Sequence, residues 1–326
     1  MTNAIDFAIL KMMLIQHGEQ TIRDFAITSQ NKDVYAFVLD AQATYGVVNF
    51  KWNTLEGFAY TRTFNRYKDY PDDRLYGHRG LKYSIGDFRF EDARNEKLEK
   101  WGMKYEEALE VLWETEEEEA EQAPNGFMAV LTEVIKELTP AFGQLHLTDD
   151  FIAYAVDHDG DDMKYLPETV DPAQLDKAFP ELKAYEVYKA KLCTRLPVEQ
   201  AEFWCQTFTD FVEGHESEAV VELRRYSRYS FDAKEELVKL GEVSVPILVT
   251  FLERALRHLP VSTDGGDPRK AWNYQSVILE IAKAGESEIN RLQAIYARQK
   301  SEYPEEQDTK NTLRVLHAID SKRFPE

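Results

Sequence analysis

The sequence predicts an α+β N-terminal domain built on a mainly antiparallel sheet, followed by an all-α domain of helical repeats. Three observations predict it. Two runs rich in β-branched and aromatic residues, VYAFVLDA (34–41) and YGVVNFKWNT (45–54), are separated only by a short QAT. Strand signals disappear beyond Pro172, where helical periodicity takes over. Two glycines 44 residues apart, Gly241 and Gly285, each separate a pair of apolar-periodic segments. The expected domains are residues 1–175 and 176–326.

The first twenty residues, MTNAIDFAILKMMLIQHGEQ, read as a helix. Their apolar patch from Ala8 to Ile15 is preceded by Asp6, interrupted by Lys11 and followed by no small-residue cleavage site, so a signal peptide is not expected. The two apolar runs then form a hairpin, and Leu55 to Tyr67 reads as helical. YPDDRLYGHRG (70–80) carries turn signals at Pro71, Gly77 and Gly80, and LKYSIGDFRF (81–90) reads as a strand bent at Gly86. From Asp92 to Gln122 the chain is rich in helix formers. Leu98, Trp101, Tyr105, Ala108 or Leu109, and Leu112 recur at three-to-four spacing, so one face packs while the glutamates meet water. Pro124 and Gly126 are expected to break this helix. A second helix carries Phe127, Val130, Leu131, Val134, Ile135 and Leu138 on one face and ends at Thr139-Pro140, before a last strand, FIAYAVDH.

In the C-terminal half, AKEELVKLGEVSVPILVTFLERALRHL pairs two helices around Gly241, and QSVILEIAKAGESEINRLQAIYARQ repeats the plan around Gly285. Their separation falls within the period of roughly 40–47 residues of HEAT and armadillo units, whose helix pairs bury their apolar faces by stacking. NTLRVLHAID reads as a closing helix, and the domain as HEAT-like.

The chain has 326 residues, 43% of them apolar, enough to bury a sizeable core. Its formal net charge of −20 excludes nucleic acid and anionic membrane as expected partners, because both need surface Lys and Arg. A basic protein is favoured instead. The acidity is concentrated: residues 106–121 hold nine acids, and 149–162 six, with no Lys or Arg in either window. Cys193 and Cys205 are the only cysteines, too few for a disulfide framework, which suits a reducing cytoplasm.

The second window, within LTDDFIAYAVDHDGDDM (147–163), raises the question of metal chemistry. Asp157, Asp159 and Asp161 alternate, and Glu168 is twelfth counting from Asp157, which partly imitates an EF-hand loop. The sixth position is Asp162 where that loop has glycine, and a strand leads in, so a solvated strand end is the preferred reading. A metal-dependent hydrolase using Asp157, Asp159 and Asp161 with His158 is the alternative; His146 lies nearby. No cofactor-binding signature, P-loop, G-x-G-x-x-G, G-x-S-x-G or H-E-x-x-H occurs. The loop YGHRGLK (76–82) has the glycines to cradle an anion but reads as a structural turn. Cys205, in AEFWCQTF, reads as a buried thiol. ETEEEEAEQ is either a solvated helix face or an acidic surface that steers a basic partner, with Trp101, Tyr105 and Trp113 as possible anchors. The partner-binding candidates are Glu114, Glu116, Glu117, Glu118, Glu119, Asp157, Asp159, Asp161 and Asp162.

Residues 3–172 resemble the bacterial domain-of-unknown-function family numbered 4303. The likeness is carried by VYAFVLDAQATYGVVNFKWNT, by the Gly-Asp-aromatic step in LKYSIGDFRF, and by TDDFIAYAVDHDGDD. This resemblance implies a non-enzymatic immunity protein that neutralises a bacterial polymorphic toxin, with no active-site residues to carry over.

Overall fold

The computed structural model describes residues 5–92, 95–158, 165–257, 269–302 and 307–325. The chain forms two compact units, Met1–Lys183 and Ala184–Glu326. The first has a mixed α+β fold; the second, among the described residues, is helical throughout.

In the first unit α1 (Phe7–Ala26) begins at Asp6, whose carboxylate accepts hydrogen bonds from the Ala8 and Ile9 N–H groups. The two apolar runs form strands β1 (Val34–Gln42) and β2 (Val47–Thr54), paired antiparallel as a hairpin. Two short helices, α2 (Leu55–Thr61) and α3 (Asp72–Leu75), precede a two-residue strand β3 (Phe90–Glu91). Then come α4 (Glu96–Thr115), α5 (Glu117–Leu138), β4 (Leu147–Asp157), α6 (Leu166–Thr169) and α7 (Pro172–Ala178). The sheet order is β3-β2-β1-β4.

The sheet is mixed: β1–β2 and β2–β3 pair antiparallel, and the departure from the expected antiparallel pattern is confined to β4. β4 runs parallel to β1 because the chain reaches that edge by a long crossover containing α4 and α5, not by a hairpin. From Ala36 onward alternate residues of β1 serve different cores, and Tyr35 joins Ala36 because the strand pairing shifts between Val34 and Ala36. Phe37, Leu39 and Ala41 pack with Phe50 and Trp52 against Leu10, Leu14, Tyr105, Phe127 and Leu131 of the helices. On the other face Tyr35, Ala36 and Val38 join Ile152, Tyr154, Phe58, Leu81, Tyr83 and Phe179.

Two further expectations are corrected. LKYSIGDFRF is not a bent strand: Leu81–Tyr83 and Ile85–Asp87 are 3₁₀ turns, and only Phe90–Glu91 pairs with β2. Asp87 holds these turns, accepting from Ser84 Oγ at 2.7 Å and Tyr67 OH at 2.6 Å, while its backbone carbonyl accepts from Thr61 Oγ1. The long acidic helix is not broken at Pro124 either. It breaks at Glu116 (φ −147°, ψ 69°), and Pro124 lies inside α5. An internal proline costs about 3 kcal/mol. Ala120, Ala123, Phe127, Met128, Leu131, Val134, Ile135 and Leu138 are all buried along one continuous face, and each large apolar side chain contributes about 1.5–3 kcal/mol, so burial outweighs the lost bond.

The boundary between the units falls inside α8 (Pro180–Leu192). The second unit continues with α9 (Pro197–Glu213), α10 (Glu218–Arg225), α11 (Ser230–Leu240), α12 (Val245–Arg257), α13 (Arg269–Ile281), α14 (Glu286–Glu302) and α15 (Gln307–Ile319). Gly214, in the left-handed conformation (φ 72°), terminates α9. Trp204, Phe208, Leu237, Leu248, Leu252, Tyr274, Val277, Leu292 and Val315 form one core. Arg291 on α14 grips Glu253 on α12 through two hydrogen bonds, at 3.0 and 2.9 Å.

Candidate interaction surface

Helix α4 places the first acidic window. Asn95 caps it, accepting from the N–H groups of Lys97 and Leu98 at 3.0 and 3.3 Å. Its apolar stripe turns inward: Trp101 and Tyr105 stack with centroids 5.3 Å apart, and both pack on Phe127. These two aromatics therefore belong to the core. Trp113, the third candidate anchor, is 47% exposed, and Val111, on the opposite flank of the exposed face, 52%. Around them Glu106, Glu107, Glu110, Glu114 and Glu116 are exposed, as is Glu119 beyond the elbow. Positions 117 and 118 open α5, and the side chains of Glu117 and Glu118 lie outside the described residues.

The second window does not form one patch. Asp149 and Asp150 sit near the start of β4 and Asp157 at its end, roughly 23 Å away at the usual strand rise. Asp150 is taken up by Lys82, at 2.7 Å. Burial opposes the ionisation of Asp150, but hydrogen bonds from Lys82 and Thr148 prevail and hold its carboxyl below the ordinary value.

At the other end Asp157 Oδ1 accepts from the Ala43 N–H in the β1–β2 turn, at 3.5 Å. Its charge also reaches Tyr105 on α4, whose phenol is raised mainly by burial and further by Asp157. The structure thus brings Asp157 and the acidic helix to the same end of the sheet. His158 is itself exposed, but its Nδ1 lies 3.0 Å from the buried Asp40 Oδ1, while Lys51 Nζ lies 2.8 Å from Asp40 Oδ2. Asp159, Asp161 and Asp162 lie outside the described residues, so the proposed alternating ligand set is represented here by Asp157 alone. Among the described residues, no three His, Cys, Asp or Glu side chains form a metal-binding group.

Sequence reasoning missed the buried Asp40 with its partners Lys51 and His158. The signal was present: an aspartate inside the apolar strand VYAFVLDA requires a charged partner, and Lys51 lies on the neighbouring strand.

The YGHRGLK loop holds an anion supplied by the chain itself. The His78 N–H donates to Glu181 Oε1 at 2.8 Å, and the buried His78 ring lies against the same oxygen at 3.4 Å. Burial works against the Glu181 carboxylate, but its hydrogen bonds from the His78 side chain and from backbone N–H groups outweigh that, so its pKa falls below the ordinary value. A depressed carboxyl adds stability that is complete above the ordinary carboxylate range and is lost as pH falls through the lowered value. Glu181→Gln is therefore expected to cost about 1–2 kcal/mol at neutral pH. In urea unfolding across a pH series the gap to the wild type should close toward acid; a pH-independent gap would contradict the assignment.

Cys205 is buried, and burial pushes its thiol up to about 12, which leaves it protonated and unreactive. Among the described residues, no helix is long and apolar enough to cross a membrane. A scan against protein-family models, a search of curated proteins and a search of solved structures each find no match to this chain.

Proposed function

We propose that this chain is a non-enzymatic, cytoplasmic immunity or interaction protein. It binds a basic partner protein, a bacterial toxin, through the outer face of α4, the elbow at Glu116, and Asp157 with the acids that follow it in sequence. The toxin assignment rests on the family resemblance; the binding surface rests on charge and shape. In the second unit, α11–α12 and α13–α14 serve as HEAT-like pairs closed by α15, and their stacking provides further binding area.

The observation that carries the reading is an acidic stripe that works against its own helix. Glu106, Glu110 and Glu114 follow one another at i,i+4 on α4, where like charges repel by about 0.2–0.5 kcal/mol per pair. Glu114 also sits in the last turn, where a carboxylate opposes the helix dipole by about 0.3–1 kcal/mol. None of the three forms an ion pair among the described residues. By contrast, the acids at 117–119 open α5, where the dipole favours them, so they have a structural reason to be there. Fold stability does not explain the α4 stripe. Steering of an oppositely charged protein does, with exposed Trp113 and Val111 as apolar contacts within the acidic rim.

The triple variant Glu106→Gln, Glu110→Gln, Glu114→Gln tests this with two readouts of opposite sign. Removing the repulsion is expected to stabilise the protein by roughly 1 kcal/mol in urea unfolding. Cells carrying the variant should nevertheless lose protection against a toxin encoded beside its gene. Full protection by the variant would remove the role of the stripe.

A further inference from the structure

We infer that the Arg- and aromatic-rich surface following β2, built on Tyr60, Arg62, Phe64 and Lys68, receives the acidic face of α4 from a second copy of this chain. The inference rests on the reading of that face as a binding surface and adds a regulation to it. Copies joined head to tail cover the stripe until a basic partner displaces them.

The first support is a local reversal of charge. In a chain of net charge −20, residues 57–68, GFAYTRTFNRYK, carry three Lys or Arg and no acid. Tyr60 and Phe64 are 53% and 39% exposed, with ring centroids 5.3 Å apart. Guanidinium groups lie over the neighbouring rings: Arg62 on Phe58 at 5.8 Å, Arg66 on Tyr67 at 4.5 Å and Arg89 on Tyr60 at 5.0 Å. A stacked guanidinium keeps the N–H groups of its edge free for carboxylates. Arg66 gives part of that edge to Asp87, at 2.7 Å, and Arg89 faces Glu56 at 3.7 Å. Arg62 and Lys68 have no acidic partner among the described residues.

The second support is placement. β3 and β4 are the two edges of the sheet. The basic surface belongs to the β3 edge: α2 starts where Thr54 pairs with Val34, and Arg89, which lies over Tyr60, directly precedes β3. The acidic face belongs to the opposite corner. α4 passes the β1–β2 turn so closely that a Cβ on Gly102 would come 2.7 Å from the Gly46 carbonyl oxygen, and one turn later Tyr105 comes under the charge of Asp157, where β4 ends beside Ala41. Val34 and Ala41 are roughly 23 Å apart at the usual strand rise. The rigid sheet therefore keeps the two surfaces of one molecule apart, and a second copy can join them.

The third support is complementarity. The stripe offers Glu106, Glu110 and Glu114 at steps of about 6 Å along the helix, with exposed Trp113 on its flank. Arg62, Arg66 and Lys68 match it in charge, and Tyr60 and Phe64 supply aromatic contact for the tryptophan. Because the surfaces are different and lie at opposite corners, the contact is heterologous and builds an open chain of copies. A single nucleic-acid strand would meet the same Arg and aromatic groups, and the test separates it from a second copy.

Sedimentation velocity on the full-length protein is run at about 0.1 M salt, where a Debye length of roughly 10 Å screens the net repulsion between copies, and at about 0.5 M. The wild type should assemble with rising concentration at the lower salt and revert to monomer at the higher. Arg62→Glu with Lys68→Glu, and separately the triple glutamine variant of the stripe, should each self-associate about tenfold more weakly. Mixed in equal amounts, the two should associate again but stop at a dimer, since one keeps the acidic face and the other the basic surface. A milder Arg62→Gln, Lys68→Gln pair should do the same, and it replaces the Glu pair if circular dichroism shows that pair unfolded. A wild type that stays monomeric at the lower salt, or a mixture of folded variants that does, would overturn the inference. So would a monomeric wild type that binds a fluorescent single-stranded oligonucleotide through Arg62 and Lys68, which would assign the surface to nucleic acid. Either result leaves the stripe's role in protection to its own test, and loss of that role with self-association intact would overturn the proposed function alone.

Discussion

Asp40→Ala is expected to be among the most damaging single substitutions in the first unit, lowering its stability by about 3 kcal/mol. Asp40 is buried in the central strand, and its two oxygens face Lys51 and His158 at 2.8 and 3.0 Å. Forming a buried ion pair gains little, because desolvation offsets the attraction, but removing one partner strands the other charge and costs about 3–5 kcal/mol. The Lys51 side chain retains 15% exposure, which places the expected loss at the lower end. A double-mutant cycle distinguishes this from simple loss of packing. Asp40→Leu combined with Lys51→Met should recover most of the stability in urea unfolding, because neither charge is then left alone. If the Asp40 substitution costs as much in the Lys51→Met background as in the wild type, the ion pair is not the cause.

Phe37→Ala should cost about 4 kcal/mol. Phe37 is buried and touches three aromatics: Trp52, stacked at 6.1 Å, Phe50, edge-on at 6.1 Å, and Phe142 at 5.1 Å. The cavity left behind cannot close easily, since the strand backbone on both sides is held in register by β2 and β4. Unfolding followed by near-ultraviolet circular dichroism should show an earlier transition and a loss of aromatic signal. A cost below about 1.5 kcal/mol would mean that the surrounding rings repack, and that the sheet face is less tightly specified than its geometry implies.

The hairpin was legible because its strands alternate through β-branched and aromatic residues and the turn between them is short. The helices of the second half were legible from periodicity alone. Pro124 misled because a proline reads locally as a helix break, whereas the apolar face on both sides of it packs against the sheet and carries the helix through. LKYSIGDFRF misled in the opposite way. Leu81, Tyr83 and Ile85 imitate strand alternation, yet Leu81 and Tyr83 reach the core from a single 3₁₀ turn, and Ile85 opens the next.

The surface was only partly readable. The glutamates of α4 were visible as a charge run, but exposure separates Trp113 from Trp101 and Tyr105, and spacing alone does not. The acidic window at 149–162 looked continuous in sequence; a strand stretches it along the sheet and gives Asp150 to Lys82. A groove beside β2 draws, among the described residues, on Leu10 and on parts of 45–49, 91–92 and 95–106. No local pattern could have assembled those four pieces.

The most direct measurement is capture from a lysate of the source organism by tagged protein, with the wild type and the Glu106, Glu110, Glu114 triple glutamine variant run in parallel at low and high salt. The expected result is one basic protein recovered by the wild type at low salt, diminished by salt and diminished again by the variant. Recovery of the same proteins by both, with no dependence on salt, would contradict binding through the acidic face of α4.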